Sequence, residues 1–193
     1  MATPASSLVE PAEYLVQERA ADVRSELWRG EVFAMVGASW GHNLVTSNLL
    51  AALHAALRGT RCRAVSSDLK VHVPRTRGFV YPDVVVVCDP PRFHDDHRDV
   101  VVNPVLVAEV LSDSTERFDR GDKSAGYRSV PSIREIVLLS QTEPRVEHYE
   151  RMEDDSWRLR TFESDETLEL RPLGCSVSLA TIYDGVLASA DQR

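Results

Sequence analysis

The sequence predicts a mixed α/β (α+β) fold, with a mostly antiparallel sheet flanked by helices. Three observations carry this. One segment, 41–59, has a clear helical apolar stripe. Two segments, 84–88 and 105–111, are short Val- and Leu-rich runs of buried-strand type. Two more, 145–151 and 157–163, alternate polar and apolar residues as half-exposed antiparallel strands do. The order of elements is helix, several strands, helix, strand and a β-rich tail, expected as one domain over 11–193 behind a flexible arm at 1–10.

From the N-terminus, "PAEYLVQERA" (11–20) suits a short helix with Pro11 in its first turn. "SELWRGEVFAMV" (25–36) alternates around Arg29-Gly30 and predicts a hairpin or a tight bend between short strands. In 41–59, Val45, Leu49, Leu53 and Leu57 recur on one face, and Gly59 ends the helix. "CRAVSS" (62–67) and "LKVHV" (69–73) predict a hairpin or two bent strands, and 89–104, with paired prolines and many charges, predicts a loop. Ser112, Asp113, Ser114 and Thr115 offer N-caps for a helix over 116–129, which Pro131 limits. "REIVLLS" (134–140) is a further strand and "LATIYDGV" (179–186) a final short helix.

The 193 residues contain 43% hydrophobic and 27% charged residues, an ordinary globular balance, and no run long enough for a membrane span. The start "MATPASSLVE" has neither a basic nor a long apolar stretch, so no secretory signal is expected. Cys62, Cys88 and Cys175 are odd in number and scattered, which predicts free thiols and a cytoplasmic setting. The net charge of −8 disfavours a protein that coats nucleic acid by bulk electrostatics, but not an enzyme with an acidic metal site and locally clustered basic residues.

"LVAEVLSDST" (106–115) sets Glu109 inside an apolar strand, where a carboxylate needs a partner. Asp83 opens another buried strand, in "YPDVVVV". If the two strands are antiparallel neighbours, both carboxylates meet at one sheet edge, and a divalent cation relieves their repulsion. Mg²⁺ suits such a place, because it takes one or two carboxylates and leaves its other positions to water and phosphate. Asp119, Lys123 and Tyr127 follow at helical spacing on one face, so Lys123 can bring a positive charge beside the metal water. Each residue also has a plain structural reading. Glu109 can pair with an arginine, Asp83 can simply start its strand, Asp119 can pair with Lys123 at the surface, and Tyr127 suits ordinary packing. Asp68 and Lys70 are second-tier candidates, and "HDDH" (94–97) suits a solvated loop.

The segments "GEVFAM", "GHNLVTSNL", "YPDVVVV", "LVAEVLSDST", "DRGDKSAGYRSV" and "REIVLL" resemble, in type and order, the motifs of the Uma-type putative restriction endonuclease family of the PD-(D/E)XK nuclease superfamily. The resemblance spans roughly residues 12–185 and implies a restriction-endonuclease-like core, Mg²⁺ (or Mn²⁺) and endonuclease activity. It makes Asp83 and Glu109 the metal ligands and adds Glu31 and His42 as further site residues. The superfamily lysine, two residues beyond the glutamate, is Leu111 here, and Lys123 is its natural substitute. The expected partner is nucleic acid, DNA first, although no DNA-reading motif is present. A homodimer is expected, since two related sites cut a duplex most simply. The rival expectation is a non-catalytic binding or regulatory module on the same fold.

Overall fold

The computed structural model describes residues 8–66, 68–112 and 115–186. Two sheets pack face to face. The first has strand order β2-β1-β5-β4-β7, built from β1 (Ser25–Trp28), β2 (Glu31–Ala34), β4 (Lys70–Val73), β5 (Gly78–Val80) and β7 (Val100–Val101). The second has order β11-β10-β9-β8-β6-β3, built from β3 (Cys62–Ser66), β6 (Val84–Cys88), β8 (Leu106–Leu111), β9 (Glu135–Ser140), β10 (Arg145–Arg151) and β11 (Trp157–Glu163). Within the second sheet only β8 and β9 run parallel. A separate hairpin, β12 (Thr167–Leu170) and β13 (Cys175–Ser178), completes the strands.

The period-two alternation of the buried strands sorts their residues onto two cores. Val84, Val86, Ala108, Val110, Val137 and Leu139 face helix α2 (Trp40–Ala56), with the β12–β13 hairpin and α5 (Leu179–Ile182) on the same side. Val85, Val87, Val107, Leu111, Ile136 and Leu138 face the first sheet and the helical segment after β8. Glu109 lies between Val107 and Leu111 on that second face and is buried there. A smaller core seats α1 (Pro11–Arg19) on Leu27, Phe79 and Val100.

Several expectations hold. Pro11 opens α1, Val45, Leu49 and Leu53 bury the stripe of α2, and β10 and β11 form the expected antiparallel pair. The hairpin turns at Arg29 and Gly30, both with positive φ, which sets Trp28 opposite Glu31 and Glu26 opposite Phe33. Others are corrected. Of the two readings of 62–73, the hairpin is excluded and two separate strands are found, because β3 and β4 belong to different sheets. The loop at 89–104 contains β7, which pairs in parallel with β4. The helix after β8 is broken into α3 (Glu116–Phe118), a π-helical turn (Asp119–Lys123) and α4 (Ser124–Arg128). Asp113 and Ser114, two of the four expected caps, lie outside the described residues, as does most of the expected arm. Residues 8–10 of that arm are held in place, with the Val9 N–H donating to the Gly30 carbonyl.

The cysteine expectation is also corrected. Cys62 and Cys88 face each other across β3 and β6 and are joined by a disulfide, which leaves Cys175 as the free thiol. Residues 26 apart in sequence are brought together by strand pairing, which sequence spacing does not reveal. No helix among the described residues is long and apolar enough to cross a membrane.

Candidate active site

The β6–β8 register decides where the two acids stand. Val84 pairs with Ala108 in an antiparallel ladder, so the next step places Asp83 across from Glu109 at the sheet edge. Asp83 Oδ2 accepts from the Val110 N–H at 2.7 Å, which pins its carboxylate against the end of β8. On the other side, His42 Nε2 lies 3.3 Å from the same oxygen. His42 stands in the first turn of α2, whose N-cap Ser39 accepts from the His42 backbone N–H at 3.1 Å. The helix N-terminus thus points its positive end toward the Asp83 edge. Burial alone pulls the His42 pKa down, but the Asp83 carboxylate outweighs it and the net shift is upward.

Lys123 is the centre of the cluster. Its ammonium lies 3.1 Å from Glu109 Oε1, 3.0 Å from Glu26 Oε1 and 3.9 Å from Asp119 Oδ1. The lysine side chain is only 6% exposed and that of Glu109 is likewise 6% exposed, so this is a buried charge network rather than a surface pair. The π-helical turn carries Asp119 and Lys123, and π turns often occur at functional sites. One helical turn on, the Tyr127 O–H donates to Glu109 Oε1 at 2.5 Å. Glu26, on β1, also accepts from the Tyr81 N–H at 2.7 Å.

The electrostatics show an excess of acid. Burial, partly offset by Lys123 and reinforced by Asp119, Asp83 and Glu26, pushes the Glu109 carboxyl well above the usual range. Burial also raises Asp119. For Lys123, burial favours the neutral amine, yet Glu109, Glu26 and Asp119 reverse this and raise its pKa. Both partners therefore hold protons more tightly than usual, as expected where four carboxylates share one ammonium and one imidazole.

The expected site residues thus converge with two changes. Asp83, Glu109, Lys123 and His42 come together. Glu31 does not join them: it is exposed on β2 opposite Trp28, at the turn end of the hairpin. The carboxylate that β1 brings to the Lys123 ammonium is Glu26, which sequence reasoning missed. The signal was present, because the two-residue turn at 29–30 puts Glu26 and Trp28 on one face of β1. Tyr127 also does more than pack, since it bonds Glu109 as well as filling the core. Lys70 belongs to another buried network, 2.8 Å from Glu18 and 3.0 Å from Asp99, and donates to the Tyr81 hydroxyl at 2.9 Å. Asp68 pairs at the surface with Arg24, and Asp95 of the "HDDH" loop is held 2.8 Å from Arg19.

Among the described residues, no three His, Cys, Asp or Glu side chains converge as a ready metal cage. Asp83 and Glu109, two hard carboxylates opposite each other in register, are the pair that could hold a divalent cation.

The family description "Uma2: Putative restriction endonuclease" matches residues 11–181. The chain belongs to the Uma2 family. Two Synechocystis proteins are similar over nearly their whole lengths. Uncharacterized protein sll1609 is 36% identical, covering 82% of this chain and 90% of its own. Uncharacterized protein slr1290 is 33% identical, covering 92% and 93%. Among solved structures, a putative nuclease belonging to DUF820 from Anabaena variabilis superimposes with a TM-score of 0.73 at 13% identity, covering 93% of this chain and 99% of that one. At that identity the match establishes a shared fold, and this Uma2 chain has the restriction-endonuclease-like architecture expected from its motifs.

Proposed function

We propose that this Uma2 protein is a metal-dependent endonuclease that hydrolyses phosphodiester bonds of nucleic acid, DNA in the first instance. The observation that carries the reading is the register that faces Asp83 with Glu109, together with the Lys123 ammonium 3.1 Å from Glu109. Asp83 and Glu109 would hold Mg²⁺ or Mn²⁺. Bound there, the ion would polarise the phosphoryl oxygen and lower the pKa of a coordinated water.

The chain's own groups have separable roles. Lys123 stays protonated beside three carboxylates, so it serves as a donor and a positive charge, not as a base. It orients the water and stabilises charge developing on the phosphate. Glu26 and Asp119 hold that ammonium in place. Tyr127 fixes the rotamer of Glu109 through its 2.5 Å hydrogen bond. His42 orients Asp83 from the start of α2.

One observation favours a second reading. Glu109 is already compensated by Lys123 and Tyr127 without any metal, as a non-catalytic module on this fold would require. A cleavage assay on supercoiled plasmid and on single strands separates the two. Nicking in Mg²⁺ or Mn²⁺ that disappears in EDTA and in Glu109→Gln supports the nuclease. Binding without cleavage under every metal condition supports the module.

A further inference from the structure

An exposed apolar rim borders the candidate active site. Phe33 is 47% exposed, Val36 77% and Trp40 73%. All three lie on the short stretch that runs from β2 into α2. Phe33 pairs directly across from Glu26, the residue that holds the Lys123 ammonium. Directly opposed residues of an antiparallel pair have Cβ atoms about 5 Å apart on the same face. The Phe33 ring also lies 6.2 Å from that of Phe118, the residue before Asp119. Trp40 begins α2, two residues before His42, whose ring contacts Asp83. Single exposed apolar residues are ordinary. Phe33 stands at the carboxylate–lysine cluster, and Trp40 is exposed at the start of the helix that carries His42.

We infer that Phe33 and Trp40 form a stacking platform for unpaired bases, so that the substrate taken at the Asp83–Glu109–Lys123 site is single-stranded or locally opened nucleic acid. This rests on the nuclease reading for the identity of the neighbouring site. Charge favours this occupant over a paired duplex. A net charge of −8 leaves little basic surface to neutralise the backbones of a duplex, whereas stacking adds affinity without charge. The basic groups at the rim are few and well placed for one strand. Arg29 lies exposed on the turn of the same hairpin, where it pairs with Asp122 at 3.3 Å, and Arg117 is exposed beside Phe118. Area argues against a second copy of the chain as the occupant. A stable dimer needs roughly 800 Å² from each partner, and three side chains supply a fraction of that. A base needs only one aromatic face.

Tryptophan fluorescence tests the platform directly. Of the three tryptophans, Trp28 is buried and Trp157 is half-buried on β11, so Trp40 is the exposed reporter. The full chain is titrated in EDTA, where no metal supports cleavage, with a pyrimidine single strand and with a hairpin duplex of the same length. The single strand should bind more tightly than the duplex and quench the emission, and Trp40→Phe should remove most of the quenching. Trp40→Ala should weaken single-strand binding by roughly five- to a hundredfold, the usual loss for one stacked base, with the salt dependence unchanged. Phe33→Ala should act in the same direction. The inference is overturned by equal affinity in Trp40→Ala, by duplex bound as tightly as single strand, or by no binding at all. It is also overturned if Trp40→Ala changes only the sedimentation of the protein. Cleavage in Mg²⁺ is read alongside. Quenching and binding without cleavage would remove the nuclease and keep the platform. Cleavage of both substrates at the wild-type rate by Trp40→Ala would remove the platform and keep the nuclease.

Discussion

Replacing Glu109 by Gln gives opposite stability results depending on what that carboxylate does. Breaking an isolated buried ion pair typically costs about 3–5 kcal/mol, because the surviving charge is left bare. In a chain of this size each kcal/mol moves the melting temperature by about 2–4 °C, so such a loss would lower it by about 6 °C or more. Here the surviving charge is not left bare. Lys123 keeps Glu26 at 3.0 Å and Asp119 at 3.9 Å, and Tyr127 can donate to the Gln oxygen as it does to Glu109. Burial also holds the Glu109 pKa well above the usual value. A carboxyl so raised stabilises the fold below the unfolded carboxylate range, and that contribution is lost as pH rises through the folded pKa. At neutral pH a neutral isostere should therefore leave the melting temperature unchanged or raise it. Mg²⁺ or Mn²⁺ should stabilise the wild type by mass action, by about 2.7 kcal/mol at a hundred times Kd, and the variant much less. The assay is calorimetry of both proteins in EDTA and in metal, with plasmid cleavage measured on the same samples. A variant melting more than about 6 °C lower, beside a wild type indifferent to metal, would refute the argument.

The other perturbations differ in sign. Lys123→Ala strips the ammonium from three carboxylates, so it should melt lower than the wild type in EDTA, recover part of the loss in Mg²⁺, and cleave slowly if at all; an unchanged melt in EDTA would show that Lys123 is not the compensating charge. Glu135, buried beside His148, has its pKa raised by burial, so it too stabilises below the unfolded carboxylate range and loses that contribution as pH rises through its folded pKa; Glu135→Gln should flatten the decline in stability above the unfolded carboxylate range, and a pH profile parallel to the wild type would count against this. Gly126→Ala should destabilise despite the better helix former, because the new Cβ would lie 2.3 Å from the ring of the buried Trp28; a melting temperature at or above the wild type would show that the indole can move aside.

Much of the fold was legible because the responsible signals are local. The Arg29-Gly30 turn, the 45–49–53 stripe and the β-type alternation of 145–151 each lie within a dozen residues. What stayed hidden depends on partners distant in sequence. The strand Gly78–Val80 is three residues long and pairs with β1 and β4, and β7 is two residues long and pairs in parallel with β4; neither has a pattern of its own. The Cys62–Cys88 link follows from the β3–β6 register alone. The same asymmetry holds for the site. Asp83 and Glu109 were legible because each opens or interrupts an apolar run, where a carboxylate is out of place. Glu26 lies in a mixed hairpin, where a glutamate is ordinary, and only the packing of β1 against the π-helical turn makes it a ligand of the ammonium.

The departure at Leu111 shows how such a site tolerates a moved charge. Position 111 shares a face with Glu109, two residues and therefore about 7 Å farther along the strand. A lysine there would have to bend its side chain back along β8 to reach the Glu109 carboxylate. In this chain Leu111 packs into the core between the sheets beside Val85 and Tyr127. The ammonium arrives from the opposite side of the cleft, on the π-helical turn, and lies 3.1 Å from Glu109. That route needs a rigid base, which the chain supplies in Asp119 one turn earlier and in Glu26 on β1. An unclamped lysine would lose rotamer entropy on being fixed beside Glu109, whereas one clamped by three carboxylates is already in place. Under the proposed nuclease reading, the requirement is a position in space, the point beside Glu109 and Asp83, and not the two-residue spacing that marks it in sequence. Restoring the sequence spacing with Leu111→Lys, alongside Lys123→Met, tests this. Since position 111 is now core, the double variant should fold less stably and cleave no better than Lys123→Met alone, and recovery of wild-type cleavage would show that the spacing, not the clamp, is sufficient.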